Sequence, residues 1–417
     1  MQFTIRQVPT AELSLRGGVV KTIRRFLVIA ALLSGSLLGT MSAQNGFVET
    51  DLVANTSPLT DANGIIHTPL VADDHLKNAW GVGASGTSPF WISDNNAGVS
   101  TLYRVTASVP VATLGLVVSI PRPGDPLGNS GTPTGLVFNI NGGANGGFKV
   151  SGVDANGKPA SASAAFLFST EDGTILGWNP GVNPLGFDPV RDKAKAGTFA
   201  IIAVDNSSNP DAANGAVYKG LAIATDSAGR TLLYVPNFRS GKVEVYDNTF
   251  STPRNLPASA FFDPKLKKGY APFNIVLMNG KLFVSYAVQD ETKHDDLAGE
   301  SHGIVNTFNL DGSGQERFAQ YGQLNSPWGM ALAPAGFGQF AGDILIGNFG
   351  NGHINVYTPG GEFVDKLRDP HGQAIVIDGL WTLRVGNGGN GGLTNTVYFT
   401  AGPNQETDGL FGGLTPQ

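Results

Sequence analysis

The chain has 417 residues, 41% hydrophobic and 14% charged, with 57 glycines, 25 prolines, no cysteine and a net charge of −6. That is too apolar for a disordered chain and too acidic, with no basic stripe, for a nucleic-acid binder. The lack of cysteine excludes disulfides, thiolate metal sites and cysteine nucleophiles.

In chain order, Lys21, Arg24 and Arg25 precede the apolar run Phe26 to Leu33, and Met41-Ser42-Ala43 offers a cleavage site. Residues 1–43 therefore read as a signal peptide, with an uncleaved anchor as the alternative. No second apolar segment follows, so the mature chain, residues 44–417, is expected to lack a membrane span and to be secreted or periplasmic. Removing five basic residues and one acidic residue leaves 22 basic against 32 acidic, a mature charge of −10.

After this segment one pattern recurs: an apolar strand, a polar or Gly-rich turn, then a strand ending on an aromatic. WISDNNAGVSTLYRV begins at Trp91, FLFSTEDGTILGW at Phe166, LLYVPNFRSGKVEVY at Leu232 and ILIGNFGNGHINVY at Ile344. Two degenerate copies start at Leu282 and Val397. Asx-Gly turns between alternating strands are hairpin signals. A second motif precedes the copies: NAWGVGAS at 78, TPTGLVFN at 132, YKGLAIAT at 218, APFNIVLM at 271, SPWGMALA at 326 and DGLWTLRV at 378. The hairpins recur every 61 residues or so, and the 374 residues left after 43 are removed from 417 give about 62 per unit over six units.

This period predicts an all-β fold, a six-bladed β-propeller of four-stranded antiparallel blades in a single domain. The Gly-containing motif would be the inner strand of each blade, where neighbouring blades crowd. Outer strands are expected at VATLGLVVSIP, FAIIAVDN and EFVDKLRD, and FVETDLVA (47–54) is expected to complete the sixth blade and close the ring. The insertions 139–163 and 289–301 read as rim loops. The run Gly386 to Gly392 reads as a flexible loop rather than a nucleotide site.

NAWGV, SPFWISDNNAGVSTLY, PTGLVFN, FLFSTEDGTILGWNP, GAVYKGLAIA and NTVYFTAGPNQETDGLFG resemble an uncharacterised bacterial family of exported proteins, some with PEP-CTERM tails. No such tail is seen in this sequence. The resemblance implies fold and export but no activity. The blades are more distantly similar to NHL-repeat and gluconolactonase-type six-bladed propellers, which implies a divalent cation such as Ca2+ held by oxygen ligands at the channel mouth. Asp94, Asn95, Asn237 and Asn348 are the candidate metal ligands, although Asx side chains also close tight turns without any ion. The Glu and Asp pair that the lactonase-type pattern requires is not found.

Asn78, Trp80, Asn274, Trp328 and Trp381 are the candidate ligand-binding residues at the mouth. The tryptophans sit at corresponding points of three inner strands, where they either stack on a flat ligand or pack between blades. The insertion QDETKHDDLAGES gathers His294 with carboxylates, yet its spacing fits no closed zinc or EF-hand pattern, and it reads as a solvated loop. His75, beside Asp73 and Asp74, is a further channel candidate. HExxH, GxSxG and phosphate-loop signatures are absent. No catalytic residue is assigned. The expected function is a monomeric binding or interaction module for a small molecule, polysaccharide or protein, and the alternative is a metal-dependent hydrolase of lactonase type.

Overall fold

A computed structural model describes residues 46–125, 128–183 and 198–417. The signal-peptide reading of residues 1–43 lies outside them.

The described strands form six antiparallel blades in a ring. Inner strands are Ala79–Gly83, Pro133–Phe138, Ala222–Thr225, Tyr270–Met278, Pro327–Leu332 and Leu380–Val385. Each is followed by the predicted hairpin, as in Phe90–Asp94 with Val99–Arg104 and Ile344–Asn348 with Ile354–Tyr357. Burial falls from axis to rim. Ala79–Gly83 is buried throughout, whereas the outer strand Phe363–Lys366 is largely exposed. Inner strands thus need apolar residues on both faces, which explains why they read as near-continuous hydrophobic runs.

The ring closes as expected. Phe47–Ala54 pairs antiparallel with Leu410–Pro416, Phe47 opposite Pro416 and Ala54 opposite Leu410, so the sixth blade is completed from the other end of the chain. This covers a sheet edge. The core is divided accordingly: one hydrophobic cluster lies between each pair of neighbouring blades, and one more lies on the axis.

Two expectations need correction. The third blade has three described strands, Ala222–Thr225, Thr231–Asn237 and Lys242–Tyr246, rather than four. Pro253, Pro257 and Pro264 occupy the stretch where a fourth would run, and proline cannot donate to a sheet ladder. The insertion 139–163 is not only a loop, because Lys149–Val153 and Pro159–Ser163 pair as a hairpin of their own.

Glycine has the expected uses. A Cβ on Gly81 would lie 2.3 Å from the Thr134 carbonyl oxygen of the next blade. Gly98 closes the first hairpin turn at φ 64 and Gly352 its counterpart at φ 69, both left-handed.

Candidate functional site at the channel mouth

Five inner strands break register just where they begin: between Ala79 and Val82, Pro133 and Leu136, Pro272 and Asn274, Pro327 and Met330, and Leu380 and Leu383. Such bulges re-aim side chains beside functional sites. The skipped residues include Trp80, Phe273, Trp328 and Trp381, which meet on the axis with Phe238 and Phe349. Trp381 stacks on Trp80 at 3.6 Å and on Phe349 at 4.0 Å between ring centroids, and Trp328 meets both tryptophans edge-on. Trp80 and Trp381 are 1% exposed. The three tryptophans form a plug across the channel.

Lys219 occupies the third inner strand's counterpart of Trp80, one residue before the glycine of the repeat. Its side chain is buried, with Nζ 5.2 Å from the Trp80 ring centre. A buried ammonium must be paired. It ion-pairs with Glu171, from the second blade's hairpin turn, and with Asp295 at 2.9 Å. Burial works against its charge, but the two carboxylates outweigh that and raise its pKa.

Asp295 belongs to the insertion 289–301, which does not remain on the rim as a solvated loop. Gln289 Nε2 donates to the Phe238 carbonyl at 2.6 Å, and Gly299 N donates to Asn325 Oδ1 at 2.7 Å. These anchors to the third and fifth blades bring Asp295 to Lys219. His294 Nδ1 lies 2.9 Å from Asp295 Oδ1. That hydrogen bond, helped by Lys219, holds the Asp295 carboxyl well below its usual range, and it raises His294.

Glu406 lies in the sixth blade's hairpin turn. Asn404, Gln405 and Glu406 have φ of 58, 56 and 68, three consecutive non-glycine residues in the left-handed region. Strain of this kind costs on the order of 1–3 kcal/mol per residue and concentrates at functional sites. Asn78, also left-handed at φ 46, donates from Nδ2 to Glu406 Oε2 at 2.6 Å and accepts from Trp381 Nε1 at 2.9 Å. Asn95 Nδ2 donates to Glu171 Oε2 at 2.9 Å. Burial, joined by the charge of Glu171, pushes the Glu406 carboxyl up to about 7 against the opposing Asn78 hydrogen bond and Lys219 charge.

The sequence candidates separate. Asn78, Trp80, Trp328 and Trp381 meet at the plug, and Asn95 faces the acidic cluster above it. Asn274 sits deeper and donates to the Trp328 carbonyl at 2.8 Å. The four metal candidates do not converge. Asp94 is fully buried and accepts from Thr101 N at 3.0 Å. Asn237 donates to Glu244 on the strand after its turn at 2.7 Å, and Asn348 donates to Asn351 Oδ1 within its own turn at 3.0 Å and to the Gln323 carbonyl of the preceding loop at 2.7 Å. His75 remains half exposed on Asp73. Ligand atoms of Glu171, His294 and Asp295 do lie within 4.8 Å of one another. Lys219 nevertheless places its ammonium between Glu171 and Asp295, so this donor set does not fit a divalent cation.

Glu171, Lys219 and Glu406 were missed as site residues. Their signal was deviation from the repeat: a lysine where three other copies carry tryptophan, and glutamates in turns where other copies carry Asn or Phe.

Fold and site together define a six-bladed β-propeller with a tryptophan-plugged channel under an acidic mouth. No family model matches the chain. Two uncharacterised proteins of Acanthamoeba polyphaga mimivirus are similar to it. One is 28% identical over 82% of this chain and 76% of its own, the other 29% over 82% and 81%. These relatives are viral, whereas the sequence resemblance pointed to bacterial exported proteins. Among solved structures, virginiamycin B lyase from Staphylococcus aureus is 12% identical with a TM-score of 0.43, covering 89% of this chain and 99% of its own. An α-L-arabinofuranosidase of Fusarium graminearum is 8% identical at 0.46, covering 89% and 97%. A gluconolactonase from Xanthomonas campestris is 13% identical at 0.34, covering 60% and 82%. These distant likenesses carry nothing about chemistry at the mouth. Among the described residues no helix is long and apolar enough to cross a membrane.

Proposed function

We propose that the mouth is a metal-independent acid–base site that hydrolyses an ester or lactone of a small polar molecule. The observation that carries this reading is Glu406: a carboxyl held in a strained left-handed turn and buried beside other acids, with its proton equilibrium moved to about 7. A group poised near working pH both removes and returns protons well. Neighbouring carboxylates whose environments push their pKa values apart, as with Glu406 and Asp295, support separate acid and base roles.

In this reading Glu406 takes a proton from an attacking water, and oxygen–carbon bond formation leaves a tetrahedral oxyanion. The His294 imidazolium, held charged by Asp295, stabilises that oxyanion. Collapse breaks the ester bond, and Glu406 returns its proton to the departing alkoxide. Lys219 is a positioning residue that holds Glu171 and Asp295 in place.

The test is a panel of lactones and carboxylic esters assayed with a chelator present. Turnover should persist, rise as pH passes through about 7, and fall roughly 10²–10⁴-fold in E406Q. Loss of turnover on chelation would overturn the metal-independent mechanism. Saturable sugar binding without turnover across the panel would return the chain to the binding-module reading.

A further inference from the structure

Below the tryptophan plug the channel widens again. Residues that follow the plug along all six inner strands line a cavity of about 410 Å³, among them Val82, Leu136, Ile223, Ile275, Met330 and Leu383. At about 30 Å³ per water-sized group this volume holds roughly a dozen non-hydrogen atoms. Ile140 and Leu277, 52% and 41% exposed, also border it and leave an apolar surface accessible.

The polar groups of this wall are occupied, with one exception. Asn274 is bonded to the Trp328 carbonyl, and Thr382 Oγ1 to the Trp80 carbonyl at 2.7 Å. The exception is Arg384, among the described residues the only charged one lining the cavity. Its two terminal nitrogens donate to the Val82 and Ala84 carbonyls at 3.2 and 3.1 Å, which leaves three of five N–H groups over. Nε is buried with no acceptor, and among the described residues no carboxylate pairs with the guanidinium. Burial alone lowers its pKa, to about 10, so it remains charged at neutral pH. An unpaired cation facing an apolar cavity lacks an anion.

We propose that this cavity binds a small monoanion with an apolar body, a medium-chain aliphatic carboxylate, its head on Arg384 and its tail along the inner-strand side chains. Guanidinium matches carboxylate geometry, and an apolar wall selects an uncharged tail. The site is separated from the mouth by the plug and stands independently of the hydrolytic reading.

The test is calorimetric titration of the full chain with sodium hexanoate and, in parallel, with hexanamide, its neutral analogue. Hexanoate should bind saturably and about tenfold or more tighter than hexanamide, the loss expected when a charged hydrogen-bonding partner is missing. R384Q should erase that preference, and R384K should retain part of it. Should R384Q fail to fold, I140D places a like charge at the exposed rim without touching Arg384 and should weaken hexanoate more than hexanamide. Equal binding of acid and amide, no saturable hexanoate binding at millimolar concentration, or a preference unchanged in R384Q would overturn the proposal. A lower melting temperature in R384Q with the preference intact would mark Arg384 as a bridge between blades only, and would overturn it as well.

Discussion

Lys219 shows how one side chain can organise a site. Its ammonium is buried with Glu171, while the Asp295 side chain is 65% exposed. The two arms therefore differ in energy. K219M strips a buried charge of its partner and should cost about 3–5 kcal/mol in denaturant titration. D295A removes an exposed partner and should cost less than about 1 kcal/mol. Equal losses would show that the pairing is not divided in this way. The site was only partly legible at this scale. The tryptophans repeat at one point of three inner strands, so the sequence points to them. Glu406 repeats nothing, and neither its left-handed turn nor its burial can be read from GPNQETDG. Asn237 and Asn348 attract attention because they recur, but recurrence reflects the shared turn: Asn237 Oδ1 accepts from Ser240 N, and Asn348 Nδ2 donates to Asn351 Oδ1, each within its turn.

At the scale of elements, the closing strand Phe47–Ala54 carries a pH-sensitive contact. His67 is buried and lies 3.1 Å from Asp51 and 3.7 Å from Asp61. Burial opposes its charge, but Asp51, Glu49 and Asp61 outweigh that and raise its pKa above 6.5. Stability from a raised histidine is complete below its unfolded pKa and is lost as pH rises through the folded one. Glu49, raised by burial and by Asp51 from 4.5 to about 7, acts in the same direction, because the folded state retains a proton that the unfolded chain has released. Hydrogen exchange of Phe47–Ala54 should accordingly speed up, beyond the intrinsic chemical rate, from about pH 5 to above 7. Constant or increasing protection would contradict the assignment. Strand positions were legible because the period is strong. The missing fourth strand of the third blade was not, since an average period conceals a single blade in which prolines replace a strand. The insertion 289–301 looked solvated because its composition is polar, whereas its bonds to Phe238 and Asn325 and the pairing of Asp295 with the buried Lys219 of the neighbouring blade fix where it docks.

At the scale of the whole molecule, the ring is held by clusters between blades and by one strand borrowed from the opposite end of the described chain. Removing residues through Ala54 should expose the edge of Leu410–Pro416, lower the melting temperature and promote association. Size-exclusion chromatography and a thermal melt would check this, and an unchanged elution volume with an unchanged melt would contradict the closure. On the axis, W381A should cost about 3–5 kcal/mol, since a fully buried aromatic is lost from the plug. The assembled ring sets the proton equilibrium of Glu406. The most direct measurement is an NMR titration of carboxyl-labelled glutamate in the intact chain, with E406Q assigning the resonance. The expected midpoint is near 7. A midpoint at the ordinary glutamate value, near 4.5, would contradict it.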